Sequence, residues 1–366
     1  MDQRHLYIHV PFCARRCSYC DFAIAVRRKV PVDEFLDGVR RELTSRNPRH
    51  VALDSVYLGG GTPSRLGADG ITRLMDMVRE RFDVTTETEV TIEANPDDVD
   101  SLEAAAWRRA GVNRVSLGIQ SFDDNVLGWM HRIHDSSAAT NAFEVLRKTG
   151  FDNISIDLIF ALPRSLERSW ETDLEKGLAL EPDHVSLYGL TIERSTPLAR
   201  WTDRGSVIPA DEEIYAAEFL LADQMMSAAG YEHYEVSNFA RPGRRSRHNS
   251  AYWSGAPYLG IGPSAHSYDG ETRSWNVAQY SDWVSKLSTG ESVVAEWERL
   301  TSENRAAEKV YLGLRTTSGL VISDSDRPSA SRWSSEGWAN IDGDRVRLTT
   351  EGWLRLDSLA SALTGL

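Results

Sequence analysis

Three cysteines lie close together near the start of the chain. Cys13, Cys17 and Cys20 follow the pattern Cys-x3-Cys-x2-Cys, and the sequence contains no other cysteine. An odd, clustered set is a poor framework for disulfides, and in a reducing compartment it indicates metal or redox chemistry. Three thiolates can hold three irons of a [4Fe–4S] cubane and leave the fourth iron open to a chelating ligand. A zinc site is the alternative, and it would require a fourth ligand such as His9.

A glycine run and several polar residues stand at or near the ends of apolar segments. Gly59-Gly60-Gly61 follows the apolar residues 55–58 and precedes Thr62. Glycines let a ligand approach the backbone closely, although an isolated run more often forms a turn. Taken singly, each of the polar residues would be a structural polar side chain or a surface charge. These residues are Glu93, Gln120, Arg132 and Asp157.

Six apolar segments alternate with helical patterns over roughly the first 200 residues. This alternation indicates an α/β fold with a parallel sheet and helical crossovers. Six units suggest an open, partial (β/α)6 TIM-like barrel, and parallel-barrel enzymes place their chemistry at the carboxyl ends of the strands. The glycines and polar residues then fall along one rim of the barrel. The predicted strands are residues 6–10, 55–58, 89–94, 114–117, 154–159 and 184–188.

The pattern changes after about residue 210. A long helix is predicted over residues 212–229, whereas the Gly-, Pro-, Ser- and Arg-rich residues 240–270 are predicted as loop. Near the end of the chain, a polar loop at 323–335 and a hairpin turning at Asp342-Gly343 indicate a small α+β domain. We expect a barrel over 1–240, an extension over 241–295 and a small winged-helix-like domain over 296–366.

The cysteine segment resembles the radical S-adenosylmethionine family, and more narrowly its oxygen-independent coproporphyrinogen III oxidase group. The likeness lies in Tyr7-Ile8-His9-Val10-Pro11-Phe12-Cys13 and Cys17-Ser18-Tyr19-Cys20-Asp21-Phe22, and it extends to residues 234–240 and 258–266. It implies that the open iron binds the amino and carboxylate groups of S-adenosylmethionine. One electron from the cluster would then break the sulfonium bond and yield a 5′-deoxyadenosyl radical.

The resemblance also implies a ligand for the rim residues. Each of them matches a family position that binds S-adenosylmethionine. Two tyrosines match positions near this cofactor as well, although such residues are also ordinary core aromatics. The implied binding residues are Tyr7, Tyr19, Gly60, Gly61, Thr62, Glu93, Gln120, Arg132 and Asp157.

The resembled group has two branches, and three features favour one of them. Coproporphyrinogen III dehydrogenases decarboxylate two propionates, whereas haem chaperones bind haem and pass it to respiratory proteins. The dehydrogenases carry a further cysteine where this chain has Phe22, and a long segment where this chain has twelve residues before Cys13. The third feature is His248-Asn249-Ser250-Ala251-Tyr252-Trp253, which matches the H-N-x-x-Y-W haem motif of the chaperones.

That motif offers suitable chemistry for haem. A histidine such as His248 is a common axial ligand of haem iron, and Tyr252 and Trp253 could stack on the porphyrin face. Asn249 completes the motif. The alternative is a solvated basic loop with a structural histidine. Four nearby arginines could pair with the haem propionates, namely Arg241, Arg244, Arg245 and Arg247.

The composition restricts the location and the partners. The chain has 366 residues, of which 41% are hydrophobic, and a net charge of −13. That charge argues against broad binding to nucleic acid or to anionic membranes. There is no run of about 18 apolar residues and no signal-peptide core. We therefore expect a cytoplasmic protein, or one held peripherally at the inner face of the membrane.

The sequence favours a haem carrier over an enzyme. Such a carrier would deliver haem to accepting proteins, membrane-bound respiratory enzymes among them. The [4Fe–4S] cluster and S-adenosylmethionine would regulate transfer or the formation of a homodimer. The alternative is an oxygen-independent coproporphyrinogen III oxidase that converts propionates to vinyl groups in haem biosynthesis.

Overall fold

The computed structural model describes residues 2–365. Met1 and Leu366, the outer bounds of the first and last predicted regions, lie outside the described residues. The strands are β1 (His5–Val10), β2 (Phe12–Cys13), β3 (Ala25–Val26), β4 (Ser55–Gly60), β5 (Glu89–Ala94), β6 (Arg114–Gln120), β7 (Ile154–Phe160), β8 (His184–Gly189), β9 (Glu232–Glu235), β10 (Asn238–Ala240), β11 (Leu259–Ile261), β12 (His266–Tyr268), β13 (Thr272–Asn276), β14 (Val294–Arg299), β15 (Leu320–Val321), β16 (Ala339–Asp342) and β17 (Arg345–Leu348). The α-helices are α1 (Val32–Arg46), α2 (Gly67–Arg81), α3 (Ser101–Arg109), α4 (Asp124–Trp129), α5 (Ser136–Lys148), α6 (Trp170–Ala179), α7 (Pro197–Asp203), α8 (Glu212–Ala228), α9 (Arg247–Trp253), α10 (Tyr280–Thr289), α11 (Ser302–Leu314), α12 (Arg327–Ser335), α13 (Thr350–Trp353) and α14 (Leu356–Thr364).

One open sheet of nine strands forms the centre of the fold, in the order β11-β1-β4-β5-β6-β7-β8-β10-β9. The six predicted strands correspond to β1 and β4 to β8, and these run parallel to one another. β11 adds a parallel strand beside β1, whereas β10 and β9 form an antiparallel hairpin beside β8. The prediction of an α/β partial barrel is therefore confirmed.

The strands of this barrel have one apolar face and one polar face. Successive side chains point to opposite faces of a strand. In β1, Ile8 belongs to the apolar core, whereas Tyr7 and His9 lie on the opposite face and are hydrogen-bonded to each other. Hydrogen bonds link this second face across strands, as between Ser155 Oγ and His184 Nδ1 at 2.8 Å. We call this inner face the polar lumen; its residues are His5, Tyr7, His9, Ser55, Tyr57, Glu89, Thr91, Glu93, Arg114, Ser116, Ser155, Asp157, His184 and Ser186.

Local sequence signals set the bounds of the helices that surround the sheet. α1 begins directly after Pro31 and buries one apolar face that includes Phe35 and Val39. α3 begins after Asp100, whose carboxylate accepts hydrogen bonds from the backbone N–H groups of the first turn. No helix among residues 2–365 combines the length and the apolarity needed to cross a membrane.

Residues 240–270 are not the loop that their composition predicts, because they contain α9, β11 and β12. α9 is stabilised by a residue far away in the sequence. The carboxylate of Glu89, at the start of β5, accepts hydrogen bonds from the backbone N–H groups of Arg247 at 3.0 Å and of His248 at 3.1 Å. A carboxylate in this position satisfies free N–H groups and complements the helix dipole. The loop prediction was wrong because it used local composition, which does not reveal the contact of α9 with the distant Glu89.

Most of the predicted loop at 323–335 is also helical. α12 has Pro328 in its first turn, where proline is tolerated, and it buries Ala330 and Trp333. Two apolar side chains on one face are enough to anchor the helix, although its other residues are polar, so the loop prediction was wrong here. The predicted hairpin at Asp342-Gly343 is confirmed, because β16 and β17 pair antiparallel around that turn.

Backbone hydrogen bonds join the last part of the chain to the barrel. The N–H of Val236 donates to the carbonyl of Arg315 at 3.2 Å, and the N–H of Thr317 donates to the carbonyl of Tyr234 at 3.0 Å. The end of α11 is thereby fixed beside the β9–β10 hairpin. This contact places α11 and the segment after it over the open side of the barrel.

Candidate functional site

The three cysteines lie just beyond the carboxyl end of β1. Cys13 ends β2, and Cys17 and Cys20 follow in the loop that leads to β3. None of the three forms a disulfide, and all are partly exposed. The loop is held at both ends, because Ala25 N donates to the Pro11 carbonyl at 2.7 Å and Arg27 N donates to the Cys13 carbonyl at 2.9 Å. The structure thus gathers the thiols on one short, anchored loop.

Polar side chains from three other segments surround the thiols. Thr62 Oγ1 lies 3.4 Å from Cys13 Sγ, and the Arg132 guanidinium lies 3.6 Å from Cys17 Sγ. Asn95 connects these two residues, since its amide donates to Thr62 Oγ1 at 3.4 Å and its carbonyl oxygen accepts from Arg132 at 2.6 Å. Asn95 was not among the residues predicted from the sequence. Its place directly after β5, beside Glu93, was the available signal.

The donor set fits the iron–sulfur cluster that the spacing predicts. Three free thiols are available, and the Arg132 cation beside Cys17 would stabilise thiolates. Burial raises the pKa of Cys13, and burial together with the neighbouring thiols raises the pKa of Cys20 to about 11. Because metal ligation requires thiolates, binding of the cluster would release these protons.

His9 is not available as the fourth ligand of a zinc ion. Its Nδ1 lies 3.1 Å from the Tyr7 hydroxyl, and its Nε2 lies 2.9 Å from the Ala23 carbonyl oxygen. Among residues 2–365, no three His, Cys, Asp or Glu side chains converge as ligands of a single metal ion. The zinc alternative therefore lacks the ligand it required.

The glycine run lets β4 end in close contact with the cysteine segment. Gly60 has φ of +109°, and a Cβ atom there would lie 2.6 Å from the His9 ring. A Cβ atom on Gly61 would lie 2.6 Å from the carbonyl carbon of Pro11. Both positions therefore require glycine for packing alone. Contact of these two glycines with S-adenosylmethionine stays a prediction.

Two partly buried carboxyl groups lie in the polar lumen below the thiols. Glu93 accepts hydrogen bonds from the Tyr57 hydroxyl at 2.8 Å and from the Gly60 N–H at 3.0 Å. Burial, reinforced by the nearby charge of Asp157, raises the pKa of Glu93 to about 7. Asp157 accepts from Ser116 Oγ at 3.1 Å, and burial raises its pKa as well. The pair forms a local site that would attract a cationic ligand.

Of the remaining rim residues, Gln120 has a positive φ angle, and Arg132 follows a residue with a positive φ angle. Gln120 ends β6 with φ of +71°, and His131, next to Arg132, has φ of +63°. Positive φ at non-glycine residues costs conformational energy and is enriched at functional sites. Tyr19, which lies in the cysteine loop between Cys17 and Cys20, packs against an apolar cluster that includes Met130 and Ile159. Most of the predicted residues thus lie at or beyond the carboxyl ends of the strands, together with the three cysteines, whereas Tyr7 and Asp157 lie in the middle of β1 and β7.

His248 lies inside the polar lumen and not on a solvated loop. Only 1% of the residue is exposed. Its Nδ1 lies 2.8 Å from Ser55 Oγ and its Nε2 lies 2.9 Å from the Tyr252 hydroxyl, while the ring stacks on Tyr57 with centroids 5.0 Å apart. Burial lowers the pKa of His248 to about 3, so the ring is neutral. Both ring nitrogens of His248 are hydrogen-bonded within the protein, to Ser55 and to Tyr252.

A cavity of about 1260 Å³ opens above α9, between the barrel and the last part of the chain. Tyr7 and Gly60 line it on the barrel side, Phe22 lines it on the cysteine loop, and Tyr252 and Trp253 line it on α9. His248 and Asn249 do not line the cavity. Its volume exceeds the roughly 300–1,000 Å³ of ordinary small-molecule pockets, so a large, flat ligand could enter.

The cations of this cavity differ from those predicted. Arg245 lines it, but Arg241, Arg244 and Arg247 do not. Arg241 donates to the Pro182 carbonyl, Arg244 pairs with Asp152, and Arg247 donates to the Glu87 carbonyl. These three arginines therefore do not face the cavity, because each of them is engaged with another part of the chain. The other cavity cations come from β13 and the last part of the chain, which local sequence could not place there: Arg273, Arg305, Lys309 and Arg345.

Trp253 joins the motif to the last part of the chain. The Arg315 guanidinium lies over its indole ring at 4.2 Å from the centroid. The same guanidinium pairs with the buried Glu235 carboxylate at 3.2 Å. This cation–π and ionic contact fixes one wall of the cavity against the other.

The chain is similar to known proteins in both sequence and fold. A sequence model of the radical SAM superfamily matches residues 7–176. The heme chaperone HemW of Mycobacterium tuberculosis H37Rv is 37% identical over 98% of this chain and 94% of its own length. The mouse mitochondrial radical S-adenosyl methionine domain-containing protein 1 is 32% identical over 98% of this chain and 86% of its own length. Coproporphyrinogen III oxidase (HemN) from Escherichia coli shares the fold, with a TM-score of 0.83 at 22% identity over 99% of this chain and 90% of that one.

We predict that the His248→Ala variant will be less stable by about 2–4 kcal/mol, because it leaves a cavity and removes the partner of the buried Ser55 hydroxyl and of the partly buried Tyr252 hydroxyl. Urea unfolding followed by circular dichroism measures the change. His266→Ala is the matched control, since this residue is exposed, and we expect its unfolding free energy to change by less than about 0.5 kcal/mol. Equal stability of the two variants would contradict the structural role of His248.

Proposed function

The chain belongs to the radical SAM superfamily and, within it, to the family of the haem chaperone HemW, and on this basis we propose that it binds haem in the cavity above α9 and delivers it to haem-dependent proteins. The large cavity beside the H-N-x-x-Y-W motif carries this proposal. Its aromatic walls suit a porphyrin face, and its arginines and lysine suit propionates. The relative from M. tuberculosis, itself a heme chaperone, aligns with nearly the full length of the chain, including the segments that form both walls of this cavity here.

We propose distinct roles for the four motif residues. Tyr252 and Trp253 line the cavity and would contact the haem face. His248 and Asn249 lie behind them, and His248 holds the Tyr252 hydroxyl at 2.9 Å. In this arrangement His248 orients an aromatic wall of the pocket and does not itself contact the iron.

Cys13, Cys17 and Cys20 would hold a [4Fe–4S] cluster, and Arg132 would balance its charge. When bound, the cluster would supply an open iron that S-adenosylmethionine can chelate, and one electron. We propose that the residues predicted for this cofactor bind it in the upper part of the polar lumen. There Glu93 and Asp157 would attract its positive charge, and Tyr7 and Gly60 would separate it from the haem cavity, which they also line.

We propose haem-accepting proteins as partners, including respiratory enzymes at the inner face of the membrane. The cytoplasm, or that face of the membrane, is then the place of transfer. The cofactors would regulate the transfer or the formation of a homodimer.

The alternative activity, decarboxylation of coproporphyrinogen III, would need a propionate of the substrate to reach the radical. Phe22 supports the carrier, because it stands where the resembled dehydrogenases carry a cysteine and it is 58% exposed at the edge of the cavity.

We expect the anaerobically reconstituted protein to bind one haem per chain and to leave coproporphyrinogen III unchanged. Haem titration followed by absorption spectroscopy measures the first property, and chromatography of the porphyrin products measures the second. The Tyr252→Ala/Trp253→Ala double variant should bind haem at least tenfold more weakly. Stacking of a flat nucleobase on one aromatic side chain contributes about 1–3 kcal/mol to binding, and we expect a similar contribution from stacking of the porphyrin. Robust formation of vinyl products would overturn the carrier proposal in favour of the oxidase.

We expect Cys17→Ser to abolish the broad visible absorption of the iron–sulfur cluster and to lower the bound iron and sulfide, because the loop then offers only two thiolates. Arg15→Ala, an exposed change in the same loop, should keep both. Iron and sulfide analysis after anaerobic reconstitution provides the measurement. If a variant lacking all three cysteines still carried about four irons per chain, the ligand assignment would be wrong.

We expect the affinity for S-adenosylmethionine to fall about tenfold as the pH is lowered from about 8 to about 6. The pKa of Glu93 is about 7, so its carboxyl is largely ionised at the higher pH and attracts a cation, and it is largely neutral at the lower pH. Glu93→Gln should bind more weakly and with a flat profile over this range, whereas the exposed Glu87→Gln should behave like the wild type. Equilibrium dialysis at each pH measures the affinity, and a profile unchanged by Glu93→Gln would remove Glu93 from the site.

A further inference from the structure

The histidines of the chain differ in whether their nitrogens are free. Of the nine histidines, only His131 and His266 have neither ring nitrogen hydrogen-bonded to any residue within 2–365. His131 packs edge-on against Trp201, at a ring-centroid distance of 5.4 Å, and does not line the cavity. His266 does line the cavity. It is therefore the histidine that can offer a nitrogen to a ligand there.

His266 stands on a rigid part of the cavity wall. It begins β12, and its ring stacks on Trp275 of β13 with centroids 5.7 Å apart and planes at 24°. Its backbone rests against Gly260 of β11, where any side chain would collide with the His266 carbonyl oxygen. The ring is thus held by an aromatic neighbour while its nitrogens stay free, which is the preorganisation that a ligand site needs.

Other side chains of the cavity are less suited to bind iron. The Tyr252 hydroxyl is hydrogen-bonded to His248, and the Tyr7 hydroxyl is hydrogen-bonded to His9. The Tyr268 hydroxyl donates to the Gly270 carbonyl at 2.8 Å. No cysteine or methionine lines the cavity described here. Tyr258 has no hydrogen-bond partner for its hydroxyl within residues 2–365, and it is the one competing phenol.

The cavity cations indicate how a haem would be oriented. Arg273 is already paired with Glu308 at 2.7 Å. Arg305, Lys309 and Arg345 line the cavity and form no ion pair with a carboxylate of residues 2–365. These three free cations all belong to the last part of the chain. Haem propionates would therefore point towards that part, and the iron would lie between it and the barrel.

We propose that His266, and not His248 of the H-N-x-x-Y-W motif, is the protein ligand of the haem iron. This inference rests on the proposed haem binding. It assigns the iron to a residue outside the motif, and it leaves the motif to build the aromatic wall. The imidazole nitrogen would form the axial bond without breaking any hydrogen bond within the protein.

The test compares the ferric haem complexes of the wild type, His266→Ala, His266→Met and His50→Ala by absorption and electron paramagnetic resonance spectroscopy. We expect a histidine-ligated spectrum for the wild type and for the remote His50→Ala control. His266→Ala should lose that spectrum and bind haem roughly tenfold or more weakly, and added imidazole should restore the spectrum. His266→Met should bind haem with the spectrum of a different axial ligand, which separates loss of ligation from loss of folding.

Each contrary outcome identifies which idea fails. A wild-type spectrum in His266→Ala, with one haem still bound per chain, would overturn the assignment of His266 and leave the carrier proposal intact. The same conclusion would follow if folded Tyr258→Phe or folded His248→Ala lost the ligated spectrum while His266→Ala kept it. Failure of the wild type to bind haem at all would instead overturn the proposed function, and the assignment of His266 with it.

Discussion

The polar lumen is the constraint on which the rest of the structure depends. A partial barrel whose inner face carries histidines, tyrosines, serines, carboxylates and an arginine needs partners for most of these groups, and only a few of their polar atoms, such as Thr91 Oγ1 and Arg114 Nε, lack one within residues 2–365. At the amino end of the strands, α9 supplies the partners, through His248 with Ser55 and through its N-terminus with Glu89. At the carboxyl end, Glu93 and Asp157 are hydrogen-bonded to Tyr57, Gly60 and Ser116, and they lie below the cysteine loop and the candidate ligand site. The lumen is therefore closed by the chain at one end and prepared for ligands at the other.

This division of the lumen explains the positions of the motif residues in α9. Its histidine and its aromatic residues lie on successive turns, so one helix can seal the lumen and at the same time face the cavity above it. His248 points inward and is fully hydrogen-bonded, whereas Trp253 packs under Arg315 of the segment that covers the cavity. A substitution of His248 would disturb the pocket through the position of Tyr252. We propose that the motif shapes a haem site whose iron ligand comes from β12.

The two candidate sites share a wall, which makes communication between them physically direct. Tyr7 and Gly60 line the cavity, while the Gly60 N–H donates to Glu93 at 3.0 Å and the Tyr7 hydroxyl contacts His9 beside the cysteine segment. A ligand that changed the charge of Glu93 would alter its hydrogen bond with Gly60, which lines the cavity. Control of haem release by the cofactor end of the barrel would then need no long pathway, only this shared layer of side chains.

The sequence by itself determined the local and periodic features of this protein. Cysteine spacing defined the ligand loop, strand and helix periodicity defined the six parallel units, and their strand ends located Gly60, Glu93 and Gln120 on one rim. These features depend on neighbours in the chain. The tertiary structure decided everything that depends on distant partners. Glu89 makes a helix of residues predicted as loop, Asn95 joins Thr62 to Arg132, and three of the predicted arginines face away from the cavity. His266 becomes the free histidine of that cavity only because every other histidine of residues 2–365 is either hydrogen-bonded by the fold or placed elsewhere, which no local pattern encodes.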